Sequence, residues 1–106
     1  MPKFLFRGSY TAAGAAGVLK EGGTARAAAV ERLTQGLGGT VEANYWAFGE
    51  DDFFIIVDLP DATAAAAASL TVGASGAVRV TTTQLMTASD VDEVSRRSVD
   101  YRAPGA

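Results

Sequence analysis

The chain contains no cysteine and no histidine. The first absence excludes disulfides, thiolate nucleophiles and cysteine-bound metals. The second removes the commonest general base and the commonest metal ligand, and leaves only hard cations held by Asp, Glu and carbonyl oxygens as a metal option. Positive charge is also thin. Nine Lys and Arg stand against twelve Asp and Glu, for a net charge of −3, and no basic cluster forms. A phosphate backbone would find no electrostatic footing, so no nucleic-acid partner is expected. No apolar run reaches the roughly 18 residues of a membrane span. Met1-Pro2-Lys3-Phe4 passes into a strand pattern without the apolar stretch of a signal peptide. The expectation is a cytoplasmic protein with no membrane partner.

Large apolar side chains are scarce as well: five Phe, three Tyr and one Trp, with alanine and glycine supplying much of the 48% apolar content. A length of 106 residues allows one domain, 1–106, around one core. Alanine-rich helices bury little area per ordered residue. An interface is therefore expected to supply the remainder, in a homodimer or larger homo-oligomer.

The apolar side chains that are present follow clear periods. Lys3 to Ser9 alternates, with Phe4 and Phe6 on one side and Leu5 and Arg7 on the other, as a strand does. Thr11 can cap a helix over Ala12 to Lys20 with Ala12, Ala15, Ala16 and Leu19 on one stripe. Gly22-Gly23 breaks it, and a second helical piece runs to Leu37 with Val30, Leu33 and Leu37 on one stripe and Arg26, Glu31 and Arg32 outside. No phosphate-loop glycine pattern accompanies that break.

Two strands follow, Thr40 to Phe48 and Asp52 to Leu59, joined by Gly49-Glu50-Asp51-Asp52. The second is apolar on both faces, Phe53, Ile55 and Val57 against Phe54 and Ile56, and so is expected to be buried on both. Pro60 ends it, and Asp61 or Thr63 can cap a helix over Ala62 to Val72. A fourth strand spans Ala77 to Thr83, and a short helix opened by Thr87 or Ser89 ends at Arg96-Arg97. A tail from Ser98 is expected to lie extended over a surface.

The order β-α-β-β-α-β with an extra C-terminal helix predicts an α+β, ferredoxin-like fold with a four-stranded antiparallel sheet. Phe4, Phe6, Phe53, Ile55, Val57, Val78 and Val80 would face the helices. Leu5, Arg7, Phe54, Ile56, Asp58, Arg79, Thr81 and Thr83 would lie on the open face. Strand two adds either Asn44 and Trp46 or Ala43 and Tyr45 to that face. Phe54 and Ile56 make it too apolar to stay wet, and sheet-to-sheet pairing of two subunits would cover it.

The segments KFLFRGSYT, LKEGGTAR, VEANYWAFGEDDFFIIVDLPD and VDYRAPG together resemble the GYD domain family. That resemblance spans nearly the whole chain and implies a dimeric α/β-barrel of ferredoxin-like subunits with no established activity. The family's Gly-Tyr-Asp falls on Gly49, Glu50 and Asp51, with Glu50 in place of the tyrosine.

Candidate site residues are few. Arg7 and Arg79, on adjacent strands, could hold a small organic anion in the barrel with Tyr45 or Trp46 stacked on it, or could pair with Glu42, Asp58 or a partner's acid. Asn44, Tyr45 and Trp46 could line a cavity of a cofactor-independent oxygenase or isomerase, a class whose sites also rely on a histidine. Glu50, Asp51 and Asp52 lack the spacing of a cation loop and read as turn residues. Tyr10 and Tyr101 read as surface anchors. No cofactor is implied, and no nucleophile constellation can be assembled. The leading expectation is a small-molecule-binding or assembly domain, with the oxygenase or isomerase and a purely structural subunit as alternatives.

Overall fold

A computed structural model describes all residues, Met1–Ala106. Four strands and four helices alternate as β1 (Lys3–Tyr10), α1 (Ala12–Glu21), α2 (Gly23–Gly36), β2 (Thr40–Trp46), β3 (Phe53–Asp58), α3 (Ala62–Ala74), β4 (Val78–Leu85) and α4 (Ala88–Arg96). The strands form one sheet in the order β2-β3-β1-β4. Every neighbouring pair is antiparallel. The protein is therefore an α+β domain built on a four-stranded antiparallel sheet.

The two-residue period of β1 and β3 assigns the faces. Phe4, Phe6, Phe53 and Val57 are buried with Leu59, Ala65 and Ala68 in the core beneath α2 and α3, and Ile55 and Val80 pack against them. Leu5, Arg7, Phe54 and Ile56 point to the opposite face, which no helix covers. Gly8 lets this packing close. A Cβ there would fall 1.9 Å from the Arg79 carbonyl oxygen and 3.0 Å from the Phe53 ring. No other residue fits between those neighbours without moving a strand.

β2 shows what alternation alone leaves open. Val41 pairs with Val57, but Ala43 pairs with Ile56, so Glu42 is an extra residue in a β-bulge. The bulge shifts the phase of the strand. Val41, Asn44 and Trp46 thereby share the helix-facing side, while Ala43 and Tyr45 join the open face.

α1 departs from the expected stripe. Its buried residue is Gly14, and Leu19 is 89% exposed. A Cβ at Gly14 would meet the Ala77 carbonyl oxygen at 1.9 Å, so the helix docks through its thinnest point rather than through its alanines. α3 is capped by Asp61, whose carboxylate accepts from the Ala64 N–H at 2.8 Å. α4 is closed by a capping box between Thr87 and Asp90. No residue of α4 is buried, and the tail after it is exposed throughout rather than covered by a surface. The radius of gyration is 16.9 Å, against about 13 Å for a compact chain of this length. No helix is long and apolar enough to cross a membrane.

Candidate functional site

A cavity of about 250 Å³ lies between the helix-facing side of the sheet and helices α2 and α3. Its floor is Phe6, Phe53, Ile55, Val57, Val78 and Val80, and its roof is Ala29, Val30 and Leu33 of α2 with Ala68 and Val72 of α3. A bulky side chain from α3 would have filled it. The alanine run leaves it open, because a methyl group cannot span the gap between a helix and a sheet.

The polar groups of this cavity are Tyr10, Asn44, Trp46, Thr34 and Arg26. Thr34 spends its hydroxyl proton on the Val30 carbonyl oxygen at 2.8 Å. Arg26 is partly exposed and lies 3.7 Å from Glu21. Asn44 makes no side-chain hydrogen bond, and its Oδ1 is buried without a partner. Such an atom costs about 1–3 kcal/mol when left unpaired, which marks it as an unspent group rather than part of the fold's own network. No carboxylate lines the cavity.

Tyr10 is held from three directions. Its backbone N–H donates to the Asp52 carboxylate at 2.9 Å. Its ring packs on Phe53 at a centroid distance of 5.5 Å. Its hydroxyl oxygen accepts from the Trp46 indole Nε1–H at 2.8 Å. This residue, expected at the surface, belongs to the cavity wall. Arg26, expected on the outside of α2, also reaches the cavity. Neither position carries a local sequence signal, because each depends on where β2 lands after its bulge.

The five residues singled out as ligand-binding do not form one site. Asn44 and Trp46 line the cavity, whereas Arg7, Tyr45 and Arg79 sit on the open face. A stack of Trp46 on a ligand held by Arg7 and Arg79 is ruled out, since the sheet lies between them. On the open face, Tyr45, Phe54, Arg7 and Thr81 form one cross-strand row, and Arg79 lies diagonally from Arg7 beside Ser9. Arg7 donates to the Asp51 carboxylate at 2.9 Å, and Arg79 forms no ion pair. Glu42 and Asp58 are instead taken by Lys3, at 2.7 and 2.9 Å. Those two acceptors, Glu42 first, hold the Lys3 ammonium above its ordinary pKa.

The hairpin tip is tied to β1. Asp51 takes Arg7, and Asp52 accepts from the Tyr10 N–H while its own N–H donates to the Gly8 carbonyl at 2.7 Å. Gly49 and Glu50 are exposed, and the Gly49 N–H closes the turn on the Asp51 carbonyl at 3.1 Å. The strained position is Phe48, whose φ is 52°.

A model of the GYD domain matches residues 4–94. The chain belongs to the GYD domain family. No curated protein and no solved structure matches it.

Proposed function

We propose that this GYD domain is a small-molecule-binding protein whose ligand occupies the cavity between the sheet and helices α2 and α3. The observation that carries the reading is an open apolar chamber of about 250 Å³ whose wall holds an amide, Asn44, with an unpaired buried oxygen. A dry apolar cavity of roughly 150 Å³ already accepts benzene. This one has room for a ring bearing a substituent. Binding removes the apolar lining from water and gives it contacts with the guest.

The test is an amide-resolved NMR titration with ethylbenzene. Shifts concentrated at Ala29, Asn44, Ala68 and Val72, with Leu5, Ile56 and Thr83 unmoved, support the site. An unchanged spectrum up to the solubility of the probe removes it.

The proposal includes assembly. The strand order and the paired crossovers support a ferredoxin-like domain, and its open face exposes Tyr45 and Phe54 beside Ile56 and Leu5. Pairing of two such faces in a homodimer would cover them and would offer Arg79 an acid from the second copy. Light scattering at tens of micromolar should give a dimer, and Phe54→Glu a monomer. A monomeric native chain sinks this half of the proposal.

One observation favours the oxygenase or isomerase reading as the second choice: Asn44 and Trp46 line the same chamber, joined by Tyr10. Against it stands the lack of any carboxylate or histidine there to act as a general base.

A further inference from the structure

The cavity's polar corner has a definite direction of hydrogen bonding. A phenol has one proton to give and lone pairs to receive with. The Tyr10 oxygen receives from Trp46 Nε1–H at 2.8 Å. No group of the chain receives the Tyr10 proton. The rotation of the ring is fixed by its packing on Phe53 at 5.5 Å, and the backbone beneath it by Asp52 at 2.9 Å. Tyr10 is thus a preorganised donor in an apolar wall, with its acceptor side engaged.

In the same cavity lining, the Asn44 side chain has no partner in the chain, and its Oδ1 is buried and unpaired. An amide turns about its last bond to present either its oxygen or its NH₂. It can therefore follow the ligand's polarity, whereas Tyr10 cannot. Arg26 sits in the same wall, partly exposed, with Glu21 at 3.7 Å as its counter-charge.

We infer that the ligand is an uncharged, largely apolar ring compound bearing a carbonyl oxygen, which accepts the Tyr10 hydroxyl proton. The inference rests on the proposed binding function and adds its chemical class. Ammonium compounds, which can only donate, leave the Tyr10 proton unpaired, and charged anions meet apolar walls on both the floor and the roof. A carbonyl oxygen meets the fixed donor and leaves the apolar body of the molecule to Phe6, Phe53 and Val30. Tyr10 is a binding residue in this scheme, and Trp46 is the residue that positions it.

Ethylbenzene and acetophenone test this as a pair, because they share shape and differ at the carbonyl. In the native protein acetophenone is expected to bind about 5- to 10-fold more tightly, the worth of one net hydrogen bond. In Tyr10→Phe that advantage is expected to disappear, the ratio of the two affinities falling to about one whatever the absolute affinity for ethylbenzene, and retained ethylbenzene binding shows that the variant's cavity is intact. Should the variant not fold, acetophenone labelled with ¹³C at its carbonyl reports on the native protein directly: a downfield shift on binding marks the accepted hydrogen bond. Equal binding of the two probes, or an unshifted carbonyl carbon, overturns the carbonyl inference and leaves the binding function standing. Failure of both probes to perturb the cavity overturns both.

Discussion

Trp46 and Tyr10 meet through a 2.8 Å hydrogen bond from the indole N–H to the phenol oxygen, although they lie on strands that do not pair with each other. β3 lies between β2 and β1, so the two rings reach over Phe53 to make contact. One bond thereby links the edge strand to the centre of the sheet and fixes the polar corner of the cavity.

The coupling of this pair can be measured. Tyr10→Phe, Trp46→Phe and the double variant should give an interaction free energy of about 0.5–1.5 kcal/mol in urea unfolding, as a neutral hydrogen bond does. Additive single effects would mean that the bond contributes nothing in solution.

Two glycine-to-alanine changes should have opposite signs. Gly8→Ala places a Cβ 1.9 Å from the Arg79 carbonyl oxygen, so β1 and β4 must separate. A loss of about 1–3 kcal/mol is expected, the usual cost of overpacking. Gly17→Ala puts its methyl into open space on α1 and should add about 0.5–1 kcal/mol through helix propensity. Thermal melts of the two variants check the pair.

Phe48 sits at φ 52° with 67% of its surface exposed. Left-handed backbone costs a side-chain-bearing residue roughly 1–2 kcal/mol, and here little burial offsets it. Phe48→Gly is expected to hold or raise the unfolding midpoint. A clear fall would show that the Phe48 ring is covered in solution, as it would be in an assembly.

Acid should release α4 before the sheet. The Thr87 backbone N–H and then its hydroxyl hold the Asp90 carboxyl below its ordinary pKa. Stabilisation from the ionised carboxylate is complete above the ordinary value of 3.8 and is lost as pH falls through the lower folded value. Amide signals of α4 should therefore move toward coil shifts in that range, while those of β1 and β3 stay. Asp90→Asn should show the frayed helix at neutral pH.

The strand pattern of β1, β3 and β4 was legible because apolar residues alternate there and nothing interrupts the count. The helix faces were less so. Alanine and glycine carry too little hydrophobic contrast to mark a buried side, which is why α1 docks on Gly14 while Leu19 stays in solvent. The candidate site escaped because it depends on one inserted residue. Glu42 looks like any strand residue, yet its bulge carries Asn44 and Trp46 to the helix side and leaves Tyr45 on the other. Tyr10 and Arg26 then join them through tertiary packing alone. Arg7 stands out in the sequence by its charge alone, and nothing local marks Asp51, in the β2–β3 turn, as its partner.

The central claim is that the chamber beneath α2 and α3 takes an apolar guest. Trp46 is the sole tryptophan and forms part of the wall, so its fluorescence reports on that space. Titration with ethylbenzene, excited where only tryptophan absorbs, should shift the emission to the blue with saturation in the native chain. Ala29→Phe, which fills the chamber from α2, should show no such shift. An unresponsive native protein, or an equal response from the filled variant, would contradict the claim.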